Sequence, residues 1–159
     1  MERNELCWCG SGKKYKKCHM PIEEKMLLHA EKGEIVPTRK LLKTPAQIEK
    51  IKISAALNTA VLDEVAKHIR IGMSTAEIDD IVYRFTTEHG GIPAPLDYQG
   101  FPKSVCTSLN NEICHGIPDK DIILKEGDII NVDVSTIVDG YFSDASRMFK
   151  MGKVSERAE

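Results

Sequence analysis

The stretch "NVDVSTIVDGYFSDASRMF", Asn131–Phe149, decides how this chain is read. β-Branched and aromatic residues run on either side of an Asp139-Gly140 pair, a strong signal for a tight hairpin. With Asp139-Gly140 as a two-residue turn, Val138 faces Tyr141, Ser135 faces Asp144 and Asp133 faces Ser146. Asp133 and Ser135 share a side because the strand period is two, so Asp133 and Asp144 become diagonal neighbours on one face. Asp is depleted from strands because its carboxylate competes for nearby backbone amides. Two of them here mean either a solvated face, which Ser135, Ser143 and Ser146 would suit, or a face that binds something positive. At the diagonal spacing of roughly 7–8 Å between Cα atoms, both carboxylates can lean onto hard cations, including a metal pair ~3.5–4 Å apart. A slip of one residue would send them to opposite faces.

Upstream, "KSVCTSLNNEICHG" (Lys103–Gly116) reads as a second hairpin, turning at Asn110-Asn111. It pairs Leu109 with Glu112 and Cys106 with His115, so these last two share a face while Cys114 takes the other. One reading is a Cys106/His115 thiolate dyad, for which no third orienting residue is evident. The other is a core histidine with its nitrogens satisfied, and taken alone it is the stronger. Before the hairpins the period is helical. Thr44, Pro45 and Gln47 form an N-cap, first-turn proline and capping-box set. Ile53, Leu57, Ala60, Val61 and Val65 follow as an apolar stripe, and the helix should end near Ile69. Ser74 and Glu77 open a second helix with Ile78, Ile81, Val82 and Phe85, closed by Gly90-Gly91. Helices first and antiparallel hairpins after give an α+β order.

The start of the chain is different. "CWCGSGKKYKKCH" gathers Cys7, Cys9, Cys18 and His19, with Gly10 and Gly12 free to turn Cys18 back onto Cys9. Three thiols and an imidazole are the soft ligands that tetrahedral zinc takes, and such a site can fold a unit too small for its own core. "GSGKK" lacks the spacing and the preceding strand of a phosphate loop, which excludes that reading. Residues 1–20 are therefore read as a zinc motif, 21–43 as a charged linker with a short helix, and 44–159 as the main domain.

With 159 residues, 42% apolar, 29% charged and a net charge of −2, the chain suits one domain plus a small appendage. That charge exerts no global pull on nucleic acid or membrane. No apolar run reaches the ~18 residues of a membrane span, and the first residues lack a signal-peptide h-region. The expectation is a cytoplasmic protein with reduced thiols, and five cysteines, an odd number, speak against a disulfide framework.

The segment Cys7–His19 resembles the SEC-C zinc motif known from the tail of a secretion ATPase, which implies one structural zinc. Taken together, "YQGFPKSVCTSLNNEICHGIP", "GDIINVDVS" and "DGYFSDASRMF" resemble the type I, bacterial-type methionine aminopeptidases from about Thr44 onward. The resemblance implies the N-terminal half of a pita-bread (creatinase/aminopeptidase-like) fold. It implies removal of initiator methionine from nascent polypeptides by a hydroxide held between two divalent ions, whether cobalt, manganese, iron or zinc. Asp133 and Asp144 resemble metal-ligand aspartates, and His115 the catalytic histidine at the scissile amide. Tyr98, Phe101 and Cys106 fall where the family builds its methionine pocket, with Phe101 standing where Tyr is common. The family's other ligands, one histidine and two glutamates, belong to a second half that would follow Glu159, so a fragment is expected. Lys13, Lys14, Lys16 and Lys17 around Tyr15 would suit a phosphate-rich partner such as the ribosome. Two alternatives remain: a zinc-containing docking module with a non-catalytic half-domain, and a prolidase-like enzyme of the same architecture.

Overall fold

The computed structural model describes every residue, Met1–Glu159, and the chain forms two compact units, Met1–Glu49 and Lys50–Glu159. In the first, Leu6 and Lys14 form a β-bridge, Tyr15–Lys17 a 3-10 turn and Met20–Glu31 helix α1.

Helix α2, Pro45–His68, starts at the expected box. The Thr44 N–H donates to Gln47 Oε1 at 2.8 Å and the Gln47 N–H to Thr44 Oγ1 at 3.3 Å. Its inward face keeps Val61 and Val65 of the expected stripe, with Leu57 packed against the core, but departs from it toward the N-terminus. Ser54, Asn58, Val61, Leu62 and Val65 are buried, whereas Ile53 is 61% exposed. The reason is that Ser54 and Asn58 find backbone partners in the sheet, at Thr136 O, Val134 O and Ser143 O. A helix turns about 100° per residue, so admitting these two polar residues turns Ile53 outward. Helix α3, Thr75–Glu88, has the full Ser74/Glu77 capping box and buries Ile78, Ile81 and Val82. Gly90, at φ +74°, follows its C-cap His89.

The sheet has four antiparallel strands: β1 (Ile92–Pro93), β2 (Cys106–Leu109), β3 (Ile129–Val138) and β4 (Tyr141–Lys150). β4 pairs along the whole of β3, with Val138 opposite Tyr141, Ser135 opposite Asp144 and Asp133 opposite Ser146, the register expected from the turn. The other edge of β3 takes β1 at Thr136–Ile137 and β2 at Ile130–Asp133. Between these two contacts the chain loops out over residues 95–105. On β3, Ile130, Val132, Val134 and Thr136 are fully buried, while Asn131, Asp133 and Ser135 alternate onto the opposite face. The buried face joins one core with Val61, Leu62 and Val65 of α2 and Ile78, Ile81 and Val82 of α3. Ser143, opposite Thr136, lies on this core face and not on the open one.

The second expected hairpin fails. Asn110-Asn111 does turn, with the Glu112 N–H on Leu109 O at 3.0 Å, but no strand returns along β2. The Glu112 carboxylate captures the Leu109 N–H at 3.0 Å, and Asn110 is held by Asp128 Oδ1 at 2.8 Å and by the Ile129 N–H at 3.0 Å. The Glu112 side chain thus takes a backbone donor that a returning strand would need, while Asn110 is tied to the start of β3.

Removing buried branched side chains leaves cavities. Ile78→Ala should cost about 2–5 kcal/mol and Ile53→Ala no more than about 0.5 kcal/mol. Urea denaturation of both variants checks this, and equal losses would refute the helix orientation.

Candidate active site

The open face of β3 and β4 forms the floor of a cavity of about 750 Å³ lined by Tyr98, Phe101, Cys106, His115, Asp133 and Asp144, among others. Each element delivers its part for a local reason. Asp133 and Asp144 arrive by strand alternation, and Cys106 lies beside Asp133 because β2 pairs with it there. Tyr98 and Phe101 ride on the loop that leaves the β3 edge at Ser135, where the Ala94 N–H donates to Ser135 O at 2.9 Å, and rejoins it at Asp133. His115 comes by a different route from the one its spacing suggested. It has φ +58°, a left-handed backbone that is uncommon for a residue with a Cβ. The next residue, Gly116, accepts the Thr107 N–H at 2.8 Å, and a Cβ there would lie 2.1 Å from Thr107 O. Only glycine allows that approach, which leads His115 to the cavity.

The electrostatics favour a cation. Burial, then the Asp144 carboxylate, push the Asp133 carboxyl above its usual range, against the pull of His115. Asp144 accepts a short hydrogen bond from the Ser135 hydroxyl. No Lys or Arg lines the cavity, and neither carboxylate has an ion-pair partner among the side chains. Hard oxygen donors with no counter-charge fit divalent ions. Burial, then Asp133, Cys114 and Asp144, raise the Cys106 thiol. This disfavours the thiolate that a dyad with His115 would need; Cys114 is exposed.

One contributor was missed in the sequence. Asp79, buried on α3, accepts the Ser104 N–H at 2.7 Å and pairs with Lys103 Nζ at 3.2 Å, anchoring the chain as it enters β2. A carboxylate beside Ile78 on the buried helix face was the available signal.

In the first unit, ligand atoms of Cys7, Cys9, Cys18 and His19 all lie within 4.8 Å of one another. Cys9 Sγ is 3.6 Å from Cys18 Sγ, and His19 Nδ1 lies 3.2 Å from Cys7 Sγ and 3.3 Å from Cys18 Sγ. Zinc bonds of about 2.3 Å to sulfur and 2.0–2.1 Å to nitrogen put tetrahedral corners roughly 3.5–3.8 Å apart, so the donor set fits. Gly10 and Gly12 make the turn at φ +77° and +72°. The Ser11 hydroxyl above all lowers the Cys9 thiol to about 6. Cys18 also has a bond from Ser11 that pulls it down, yet burial and the Cys9 and Cys7 thiols raise it. One thiolate thus opposes the next, and a cation removes the conflict. Glu23, unrecognised in the sequence, ties the knuckle to α1. It accepts from Trp8 Nε1 at 2.9 Å, Tyr15 Oη at 2.5 Å and Arg39 at 2.5 Å, while Trp8 packs on His19 with ring centroids 4.5 Å apart.

The sequence profile of metallopeptidase family M24 matches residues 49–159, and that of the SEC-C motif residues 3–21. A methionine aminopeptidase of Chlamydia trachomatis is 45% identical over 98% of this chain and 54% of its own length. The crystal structure of methionine aminopeptidase from Rickettsia prowazekii superposes with a TM-score of 0.72 at 42% identity, covering 74% of this chain and 47% of that one. An Xaa-Pro dipeptidase from Bacillus anthracis, at 22% identity and a TM-score of 0.63 over 74% of this chain and 32% of its own, shares the fold. The chain spans about half the length of the curated relatives it matches. No helix is long and apolar enough to cross a membrane.

Cys9→Ser should abolish stoichiometric zinc binding by the Cys7–His19 knuckle and melt it. A chelator-release assay on purified protein reads this, and unchanged zinc content would remove Cys9 from the ligand set.

Proposed function

We propose, for a chain that belongs to metallopeptidase family M24, that its open sheet face is half of a methionine aminopeptidase active site acting on nascent polypeptide N-termini. The observation that carries this reading is the convergence of Asp133 and Asp144, diagonal across β3 and β4, on one cavity with His115. Asp133 and Asp144 would hold two divalent ions, of which cobalt, manganese, iron and zinc all suit the donors. Bound there, the ions would supply a nucleophilic water at neutral pH and polarise the scissile carbonyl. His115 donates a hydrogen bond to the developing charge or to the leaving nitrogen. Tyr98, Phe101 and Cys106 give the methionine side chain an apolar wall, and the neutral thiol of Cys106 suits the soft thioether. Methionine is favoured over an X-Pro substrate because the relatives at 42–45% identity are methionine aminopeptidases, whereas the Xaa-Pro dipeptidase supports only the fold. The division into 1–20, 21–43 and 44–159 belongs to the same proposal, as does a structural zinc in the first segment.

In the full-length polypeptide, Asp133→Ala or Asp144→Ala should abolish hydrolysis of a Met-Ala-Ser peptide, and His115→Ala should lower kcat by about 10²–10³-fold. Near-normal turnover of either aspartate variant at saturating metal would end the ligand assignment. Faster cleavage of X-Pro than of Met-Ala-Ser would overturn the substrate.

Lys13, Lys14 and Lys17 are exposed around the knuckle and Lys16 half-buried, which supports contact with ribosomal phosphates. Such contacts weaken steeply with salt. Paired Lys13→Glu and Lys17→Glu substitutions should therefore abolish low-salt co-sedimentation with ribosomes; undiminished pelleting would exclude that surface.

A further inference from the structure

We propose that Asn58, backed by Ser54, is a positioning clamp that sets the spacing of Asp133 and Asp144; this rests on the reading of those aspartates as metal ligands. Asn58 is 1% exposed, and its amide nitrogen donates to Val134 O at 2.8 Å and Ser143 O at 3.0 Å. These carbonyls belong to neighbouring strands and to the Val134–Ser135 and Ser143–Asp144 peptides. The first lies one peptide beyond Asp133, and the second contains the Asp144 nitrogen. Successive carbonyls along a strand point to opposite edges. Ser135 O is directed to the β1 edge by the Ala94 N–H, so Val134 O points toward β4, into the seam. Asn58 therefore reaches the seam from the core side, level with Asp144 and one residue beyond Asp133. One helical turn earlier, Ser54 Oγ lies 3.1 Å from Thr136 O and 2.9 Å from Ser143 Oγ, bracketing the seam again.

Stability alone does not explain this arrangement. Two successive turns of the core-facing stripe of α2 carry polar residues where apolar ones would bury more surface, and Asn58 Oδ1 is left buried without a partner. What the two side chains supply is direction: one donor shared between two strands fixes their separation and opposes slippage at the level of the carboxylates. Ligating carboxylates commonly depend on such outer partners. Asn58 touches neither cation nor substrate in this scheme and acts only through the two peptides.

The test uses the full-length polypeptide stripped of metal, given one equivalent of Zn²⁺ to fill the Cys7–His19 knuckle, and then titrated with Co²⁺ in a calorimeter. Asn58→Leu fills the same space without the donor, and should weaken Co²⁺ binding about 10–100-fold and speed amide exchange in Val134–Asp144. Val61→Ala, on the same helix, should lower stability and leave the Co²⁺ affinity unchanged. Unaltered Co²⁺ affinity in Asn58→Leu, with binding lost in Asp133→Asn, would overturn the clamp alone. Unaltered affinity in Asp133→Asn would instead overturn the ligand reading on which the clamp rests. Should Asn58→Leu fail to fold, Ser54→Ala removes the neighbouring bonds and should still weaken binding; an unchanged affinity there would count against the clamp.

Discussion

The antiparallel register of β3 and β4 is the constraint on which the rest of the main unit depends. It starts at Asp139-Gly140, where both residues are left-handed, at φ +50° and +78°. Lys50 supports the turn from α2, with Nζ 2.6 Å from Asp139 Oδ2 and 5.3 Å from the Tyr141 ring centroid. The core then enforces it. Ile130, Val132, Val134 and Thr136 are all fully buried, and a slip by one residue would exchange them for Asn131, Asp133 and Ser135. Hydrophobic burial on one face thereby secures the carboxylates on the other. The aspartates need no stabilising packing of their own, because their neighbours in sequence supply it.

Both candidate metal sites rest on like charges or incipient charges forced together. In the sheet cavity the donors are hard carboxylate oxygens, and burial, then Asp144, make Asp133 harder to ionise than a free carboxyl. In the knuckle they are soft thiols, where Cys9 ionises readily and Cys18 resists. A cation reverses the penalty in each case, and donor softness separates the two: thiolate and imidazole suit zinc, while carboxylates suit harder divalent ions. The knuckle is also tied to α1, since Glu23 receives Trp8, Tyr15 and Arg39 together. Burial raises the Glu23 pKa, but those three donors outweigh it and hold the carboxylate below its usual range.

What the sequence by itself determined was whatever depends on short-range periodicity and turn chemistry. The two capping boxes, the Asp-Gly hairpin, the diagonal placement of Asp133 and Asp144 and the Cys/His knuckle all follow from residues close together in the chain. The α+β order and the family resemblance were legible for the same reason. Tertiary structure alone decided three things. It turned α2 so that Ser54 and Asn58 face inward, because their partners lie some 76–89 residues away. It replaced the second hairpin by a turn, because Asn110 is held by Asp128 and Ile129 while the Glu112 side chain takes the Leu109 N–H. And it brought His115 to the aspartates through a left-handed backbone and the close approach of Gly116 to Thr107. The partners that orient α2 and Asn110 lie 18–89 residues away, and the left-handed His115 depends on a close approach to β2, so the periodicity of the chain carries no information about them.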